Sequence, residues 1–365
     1  EDSFGNIWWC SYDQGFELTY ANKQRFGNNI LNSSLRGKSV TAVHASKDGK
    51  LFAGTLRDGI YIYDAETNTM AKAISSDKVN DRYENLVSGI CIDEKGLLWV
   101  GSDDGMTVYR LNGNRLYRVH SWPTLYVLCM RADSDSHIWA GTGMNLMRFG
   151  SDGSSETIDL GIPDGAYTFV AGIDFLPGGD LIVSTFGYGL YHIDHKTLKA
   201  RHIDVSQTDW ADCINRSVFI PSCITVDKEG MAWIGTVANG LLKYDPIANN
   251  LSPIPGTPCN DICSITEDNY GNLWVSTQYG LGKYDRTVGK FINFFASDGI
   301  GGNQLYDRSS CQTTNGMLAF GGTHGLTLFD PVAIMTNLNI PLMFEALKVH
   351  NSIITPSENG CISKS

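Results

Sequence analysis

The chain has 365 residues, 42% of them hydrophobic, with a formal net charge of -11 and a pI near 5.1. That acidity works against a nucleic-acid or anionic-membrane partner, because both demand concentrated Lys and Arg. No apolar run approaches the roughly 18 to 20 residues that cross a bilayer.

The chain opens in mid-pattern. DSFGNIWWCSYDQGFELTY (Asp2 to Tyr20) carries an acidic residue, a Gly turn, an apolar stretch with Trp and a second turn, but no strand ahead of the first turn. Such an opening at Glu1, without a secretory leader, is expected of a piece cut from a longer protein. The pattern returns as SKDGKLFAGTLRDGIYIYD (Ser46 to Asp64), DEKGLLWVGSDDGMTVY (Asp93 to Tyr109) and DSDSHIWAGTGMNLMRF (Asp133 to Phe149). It continues as PGGDLIVSTFGYGLYHID (Pro177 to Asp194), DKEGMAWIGTVANGLLKYD (Asp227 to Asp245), DNYGNLWVSTQYGLGKYD (Asp268 to Asp285) and TTNGMLAFGGTHGLTLFD (Thr313 to Asp330). Eight copies at roughly 40 to 50 residue spacing have the period of propeller blades.

In the Asp93 copy, Gly89 to Ile92 reads as a first strand, Leu97 to Gly101 as a second, Met106 to Arg110 as a third and Arg115 to Val119 as a fourth. Turns of Gly, Asp and Asn separate them, which predicts one antiparallel sheet per copy. The abundance of glycine, 39 residues, fits a repeat that uses Gly at two turns in each copy. Sheets apolar on both faces must stack on neighbours, and a closed ring removes the exposed ends. Trp99, Trp139, Trp233 and Trp274 of the second strands are then blade-to-blade packing. The fold class is an all-β propeller of four-stranded blades. The ring closes at seven blades if a strand near Gln24 to Phe26 completes the last one, leaving residues 1–20 over from a preceding array; eight blades is the alternative count.

Nine cysteines occur. Cys91, Cys129, Cys223, Cys263 and Cys311 precede the Gly turn of their copies, where Cys reads most simply as a small buried hydrophobe. Local disulfides Cys213–Cys223 or Cys259–Cys263 are open alternatives. No CxxC or His-Cys cluster has ligand spacing, so neither a metal nor a cofactor is expected. Nor does a G-x-S-x-G, an H-E-x-x-H or a Gly-rich phosphate loop occur, and the eight histidines are scattered.

Past Pro331 the pattern stops, and IPLMFEALKVHNSII (Ile340 to Ile354) alternates around an Asn-Ser turn like a hairpin of another β module. The repeat resembles the regulator propeller repeats in the periplasmic sensor region of hybrid two-component systems of Bacteroidetes. SDGIGGNQLYDRSSCQTTNGMLAFGGTHGLTLFDPVAI (Ser297 to Ile334) resembles that family's last blade, and the final hairpin resembles the start of its Tyr-rich immunoglobulin-like domain. The copies at Met144 to Leu146 and Pro177 to Asp180 depart from the pattern, the latter lacking both Asp and Trp. The resemblance implies a propeller over 1–335 and a truncated immunoglobulin-like β-sandwich over 336–365. It further implies a parent histidine kinase whose catalytic modules lie outside this chain, a preceding propeller, a homodimeric parent and a periplasmic location.

Ligand residues are expected on the face where second-to-third-strand turns and blade connections emerge, since loops on a rigid scaffold carry binding. From the turns these are Arg57, Asp103, Tyr188, Asn239, Tyr279 and His324. From the connections they are Trp122, Trp210, Arg216, Tyr306 and Arg308, with Tyr126, Tyr167 and Asp307 nearby. The connection from Ile203 to Phe219 is longer than a blade requires. Aromatic faces beside amides and carboxylates suit oligosaccharides, the ligand class the resemblance implies, for control of polysaccharide-utilisation genes. The competing expectations are a propeller lyase or hydrolase, and a structural or dimerisation propeller that binds nothing.

Overall fold

A computed structural model describes residues 7–11, 15–19, 26, 34–75, 87–204 (except 104, 144 and 164), 220–334, 347–349 and 352–354. The inner strands of successive sheets are Val40–Ala45, Val87–Ile92, Val127–Ala132, Val170–Phe175, Pro221–Val226, Ile262–Glu267 and Leu305–Gln312. Each opens an antiparallel meander, and we number the resulting blades 1 to 7 in chain order. Blades 1 to 6 carry four consecutive strands, the short strand Ile74–Ser75 adding in parallel to the outer edge of blade 2; blade 7 has three among the described residues. Ile7–Ser11 and Gly15–Thr19 pair with each other as a separate hairpin.

Second strands such as Leu98–Ser102, Ile138–Thr142 and Leu273–Thr277 are buried at every residue. They read as unbroken apolar runs because neighbouring blades cover both faces. The fourth strands face solvent: Thr69–Lys72 and Ser155–Ile158 are mostly exposed. Seven core clusters each join two adjacent blades, including one of Val43 and Leu51 of blade 1 with Ala319 and Leu328 of blade 7. That last cluster closes the ring at seven, without the eighth blade.

The acidic residue and the Trp of the repeat form one device. Asp93 Oδ1 accepts the backbone N–H groups of Lys95 and Leu97, both at 2.9 Å, which fixes the turn. Its other oxygen accepts the Trp99 indole N–H at 3.0 Å. Asp133–Trp139, Asp227–Trp233 and Asp268–Trp274 repeat this at 3.1, 2.7 and 2.9 Å. The indole polar atom is thereby satisfied inside the core, as a buried N–H must be. Ser46–Phe52, Leu176–Ile182 and Thr313–Ala319 occupy the same places in blades 1, 4 and 7, so both partners are absent together.

The Gly of W-V-G-T serves neither turn. A Cβ on Gly54 would lie 2.3 Å from Val87 Cγ1, and one on Gly101 2.7 Å from Val127 Cγ1. The position lets the first inner-strand residue of the next blade approach the backbone.

Closure differs in detail from expectation. Gln24 lies outside the described residues, whereas Phe26 is buried between Phe294 of blade 6 and Phe329 of blade 7, with ring centroids at 5.1 and 4.8 Å. Leu35 is wholly buried against blade 7, and Gly37 N–H donates to the His324 carbonyl at 3.1 Å. Residues preceding blade 1 thus fasten the two ends of the ring.

A second compact unit, Met335–Ser365, contains the hairpin Leu347–Val349 with Ser352–Ile354. Among the described residues no helix is long and apolar enough to cross a membrane.

Candidate functional site at the axial channel

All seven inner strands line a cavity of about 360 Å³ on the ring axis. Its two levels follow from strand register. The residue two before each turn residue forms one circle: His44, Cys91, Arg131, Asp174, Thr225, Thr266 and Cys311. His44, Arg131 and Asp174 bring an imidazole, a guanidinium and a carboxyl into this circle. Arg131 Nε stands 3.8 Å from Asp174 Oδ1, and Asp174 Oδ2 accepts the Val226 N–H at 2.7 Å. Burial pushes the Asp174 carboxyl up against the opposing pull of Arg131. Burial, reinforced by Arg131, holds the His44 imidazole down at about 4.

The opposite end of the channel is the face on which ligand residues are expected. Here blades 1 and 3 to 7 each end in a backbone pair at 2.9 to 3.1 Å: Gly143 to Tyr126, Phe186 to Phe169, Val237 to Ile220, Gln278 to Asp261, Thr323 to Gln304 and Leu56 to Ser39. The circle they describe is two-sided. Tyr126, Phe169, Phe186, Ile220 and Val237 make an apolar arc over blades 3 to 5, with the Phe169 and Phe186 rings stacked at 4.8 Å. Tyr167, 81% exposed, stands edge-on to Phe186. Asp261, Gln278, Gln304, Thr323 and Ser39 make a polar arc over blades 6, 7 and 1, where Gln304 Nε2 donates to Gln278 Oε1 at 3.1 Å.

Blade 7 closes this mouth. Val127 lies six residues before Asp133, and the other blades keep that interval; Leu305 lies eight before Thr313. Register passes from Leu305–Gly322 directly to Ser310–Phe320, so Tyr306, Asp307 and Arg308 are looped out of the ladder. Arg308 has φ 58, a left-handed conformation disfavoured for a side chain with Cβ. Its Nη1 crosses the channel to donate to the Ser222 carbonyl at 3.0 Å and the Ala171 carbonyl at 3.3 Å.

The expected site residues therefore separate. Tyr306 and Arg308, placed by sequence in a blade connection, belong to the inner strand and the channel. Trp122 is a correction too: it lies in the fourth strand of blade 2, stacked on Trp99 at 5.6 Å and edge-on to Phe149 at 5.0 Å. That strand runs on to Pro123, beyond its expected end, because the Trp122 ring fills the gap to blade 3. Arg57, Asp103 and His324 are exposed at their turns, and Tyr279 is 57% exposed beside Phe295 at 5.5 Å. Tyr188 and Asn239 are half-buried, Tyr188 packing into the cluster between blades 3 and 4. Trp210, Arg216 and most of the long connection lie outside the described residues. The sequence reading missed Phe169, Phe186, Asp261, Gln278 and Gln304. The readable signal was position, since Phe169, Asp261 and Gln304 each stand directly before the first residue of an inner strand.

Cys223, Cys259 and Cys263 are free thiols, so neither proposed local disulfide is formed. Burial pushes Cys91 up to about 11 and Cys223 and Cys311 up to about 12. No group of three or more His, Cys, Asp or Glu that could hold a metal occurs among the described residues.

The two component regulator propeller family matches residues 256–279, which hold the first two strands of blade 6 and the turn between them. Histidine kinase P4 of Formosa agariphila is 24% identical over 368 residues, covering 90% of this chain and 25% of that protein. The extracellular domain assigned to the hybrid two-component system BT3049 of B. thetaiotaomicron superposes with a TM-score of 0.73 at 22% identity, over 98% of this chain and 49% of that one. Virginiamycin B lyase of Staphylococcus aureus shares the fold at a TM-score of 0.63 and 12% identity, over 82% of this chain and 97% of the lyase. This chain thus spans about a quarter of its curated relative and about half of the matched ectodomain. The repeat, the Asp–Trp device and the seven-bladed ring are thus accompanied by a two component regulator propeller match at residues 256–279 and by likeness to a histidine kinase and to the extracellular domain of a hybrid two-component system.

Proposed function

We propose that this propeller is the extracytoplasmic ligand-sensing part of a hybrid two-component sensor kinase and that its ligand is an oligosaccharide. The observation that carries this reading is the two-sided axial mouth. Tyr126, Phe169 and Phe186 offer faces for the C–H surfaces of a sugar ring, while Gln278, Gln304 and Asp261 offer hydrogen bonds for its hydroxyls. The likeness to the extracellular domain of a hybrid two-component system supports an extracytoplasmic setting; a periplasmic location and control of polysaccharide-utilisation genes in the parent belong to the same proposal.

In the parent, a preceding propeller comes before this one, the unit from Met335 begins an immunoglobulin-like domain, and the whole acts as a homodimer. A ligand moves such an assembly only through different affinity for its two states. The chain binds and does not turn over; the kinase chemistry belongs to modules beyond it.

Calorimetric titration of the chain with neutral and acidic oligosaccharides, with product analysis of each mixture, tests this. Saturable binding with intact sugar is expected. Cleaved sugar would replace it with a lyase or hydrolase, the reading favoured by the fold shared with virginiamycin B lyase. Absence of binding to every sugar would leave a structural or dimerisation propeller.

A further inference from the structure

The channel holds two arginines in unlike states. Arg131 faces the Asp174 carboxylate at 3.8 Å. Glu267, which also lines the cavity, is engaged by Arg286 at 3.3 Å. Arg308 makes no ion pair among the described residues. Its Nη1 donates only to the neutral carbonyls of Ala171 and Ser222, and its Nε is buried with no partner. Asp307, the carboxylate beside it in sequence, interacts instead with the Cys263 thiol. A guanidinium charge is thus held in a cavity without an ion pair among the described residues, at a left-handed residue in a loop that is longer than its counterparts in the other blades. Strain and unsatisfied polar groups persist where function uses them.

We infer that Arg308 receives a carboxylate of the ligand, so that the glycan sensed here is an acidic one with a uronate at the unit entering the axial mouth; this rests on the oligosaccharide-sensing reading above. With Nη1 committed to carbonyls, the remaining edge of the guanidinium is Nε with Nη2. That edge presents two parallel N–H groups, the geometry that matches the two oxygens of a carboxylate. Docking there supplies the missing partner of Nε and the missing counter-charge together. The apolar arc of Tyr126, Phe169 and Phe186 lies at the same end of the channel and is available to the sugar ring. Of the nearby carboxylates, Asp174 and Glu267 each face an arginine, and Asp307 hydrogen-bonds the Cys263 thiol.

The test is calorimetry on the full chain with short oligogalacturonates and oligoglucuronates, their carboxyl-reduced counterparts and a sulfated neutral glycan. The wild-type chain is expected to bind a uronate oligosaccharide about tenfold or more tightly than its carboxyl-reduced form, the scale of one charge-assisted pair. Arg308→Gln should abolish that preference. Because the reduced ligand is compared on wild-type protein, the result does not depend on the variant folding. Equal binding of acid and reduced forms, or a preference that survives Arg308→Gln, overturns the inference while the sensing reading stands. Arg308-dependent binding of the sulfated glycan with no response to uronates overturns the carboxylate assignment. Failure of every sugar overturns the sensing reading itself.

Discussion

The Trp233 indole N–H donates to Asp227 Oδ2 at 2.7 Å, and Arg286 of the next blade reaches the same oxygen at 3.0 Å. Arg286 also lies over the Trp233 ring, 5.3 Å from its centroid, and bonds Glu267 at 3.3 Å. One buried carboxylate therefore fixes a turn, satisfies a core indole and ties two blades. Asp227→Ala should destabilise by about 3–5 kcal/mol, the scale for breaking a buried pair and stranding its partner. Blade 4 does without both partners, using Leu176 and Ile182. The double change Asp227→Leu with Trp233→Ile should therefore cost less than the sum of the singles by about 0.5–3 kcal/mol. Urea unfolding of the four proteins reads this coupling, and strict additivity would refute it.

Closure depends on Phe26. Its ring sits among Phe294, Phe329, Leu305 and Ile334 across blades 6 and 7. Phe26→Ala should cost about 3–5 kcal/mol, as for other buried aromatic truncations. Hydrogen exchange should rise first in blade 7 and at its junction with blade 1. A uniform rise over all seven blades would show that Phe26 is not the fastening point.

The channel predicts a pH dependence. His44 sits at about 4 in the folded chain and returns toward 6.5 on unfolding. Between those values the unfolded chain binds the additional proton, so the stability due to neutral His44 is full above pH 6.5 and is lost as pH falls toward 4. Asp174, whose carboxyl is raised by burial, acts in the opposite sense and is relieved on acidification. With solvent reaching part of the channel, the His44 share is on the order of 1–2 kcal/mol. His44→Gln should flatten the decline of Tm between pH 6.5 and 4; an unchanged slope would remove His44 as its source.

Thiol chemistry should divide by depth. Burial raises Cys91, Cys129, Cys223, Cys263 and Cys311 well out of the range where thiolate forms near neutrality. Iodoacetamide at pH 8 should modify the partly exposed Cys259 in the native chain and spare these five until denaturant is added. Peptide mass spectrometry gives the site-by-site answer, and early labelling of Cys223 or Cys311 would contradict the closed inner strands.

Tyr279 and Tyr126 separate two parts of the candidate face. Tyr126 belongs to the mouth circle, and Tyr279 stands outside it on a turn. Tyr126→Ala should weaken sugar binding about tenfold, the loss of one aromatic stacking partner, while Tyr279→Ala changes it little. The reverse ranking by calorimetry would move the site from the axis to the rim.

Residue pattern alone determined the blades. Asp, Gly and Trp recur at fixed offsets because turn, strand and indole pairing are all local, within six residues of Asp93 or Asp227, and a local constraint leaves a local signature. The apolar runs of the second strands and the final-blade landmarks were legible for the same reason. The site was not. His44, Arg131 and Asp174 lie one or two blades apart in sequence and meet only because equal register positions of different blades converge on one axis. Arg308 reads as an ordinary connection residue until the ladder shows that two added residues throw it across the channel to Ala171 and Ser222. Trp122 looked like a loop aromatic, and only the facing blade, with Phe149 and the buried Trp99, makes it core. Secondary structure follows from near neighbours, which sequence lists in order; the channel arises from ring closure, a relation among residues that sequence keeps far apart.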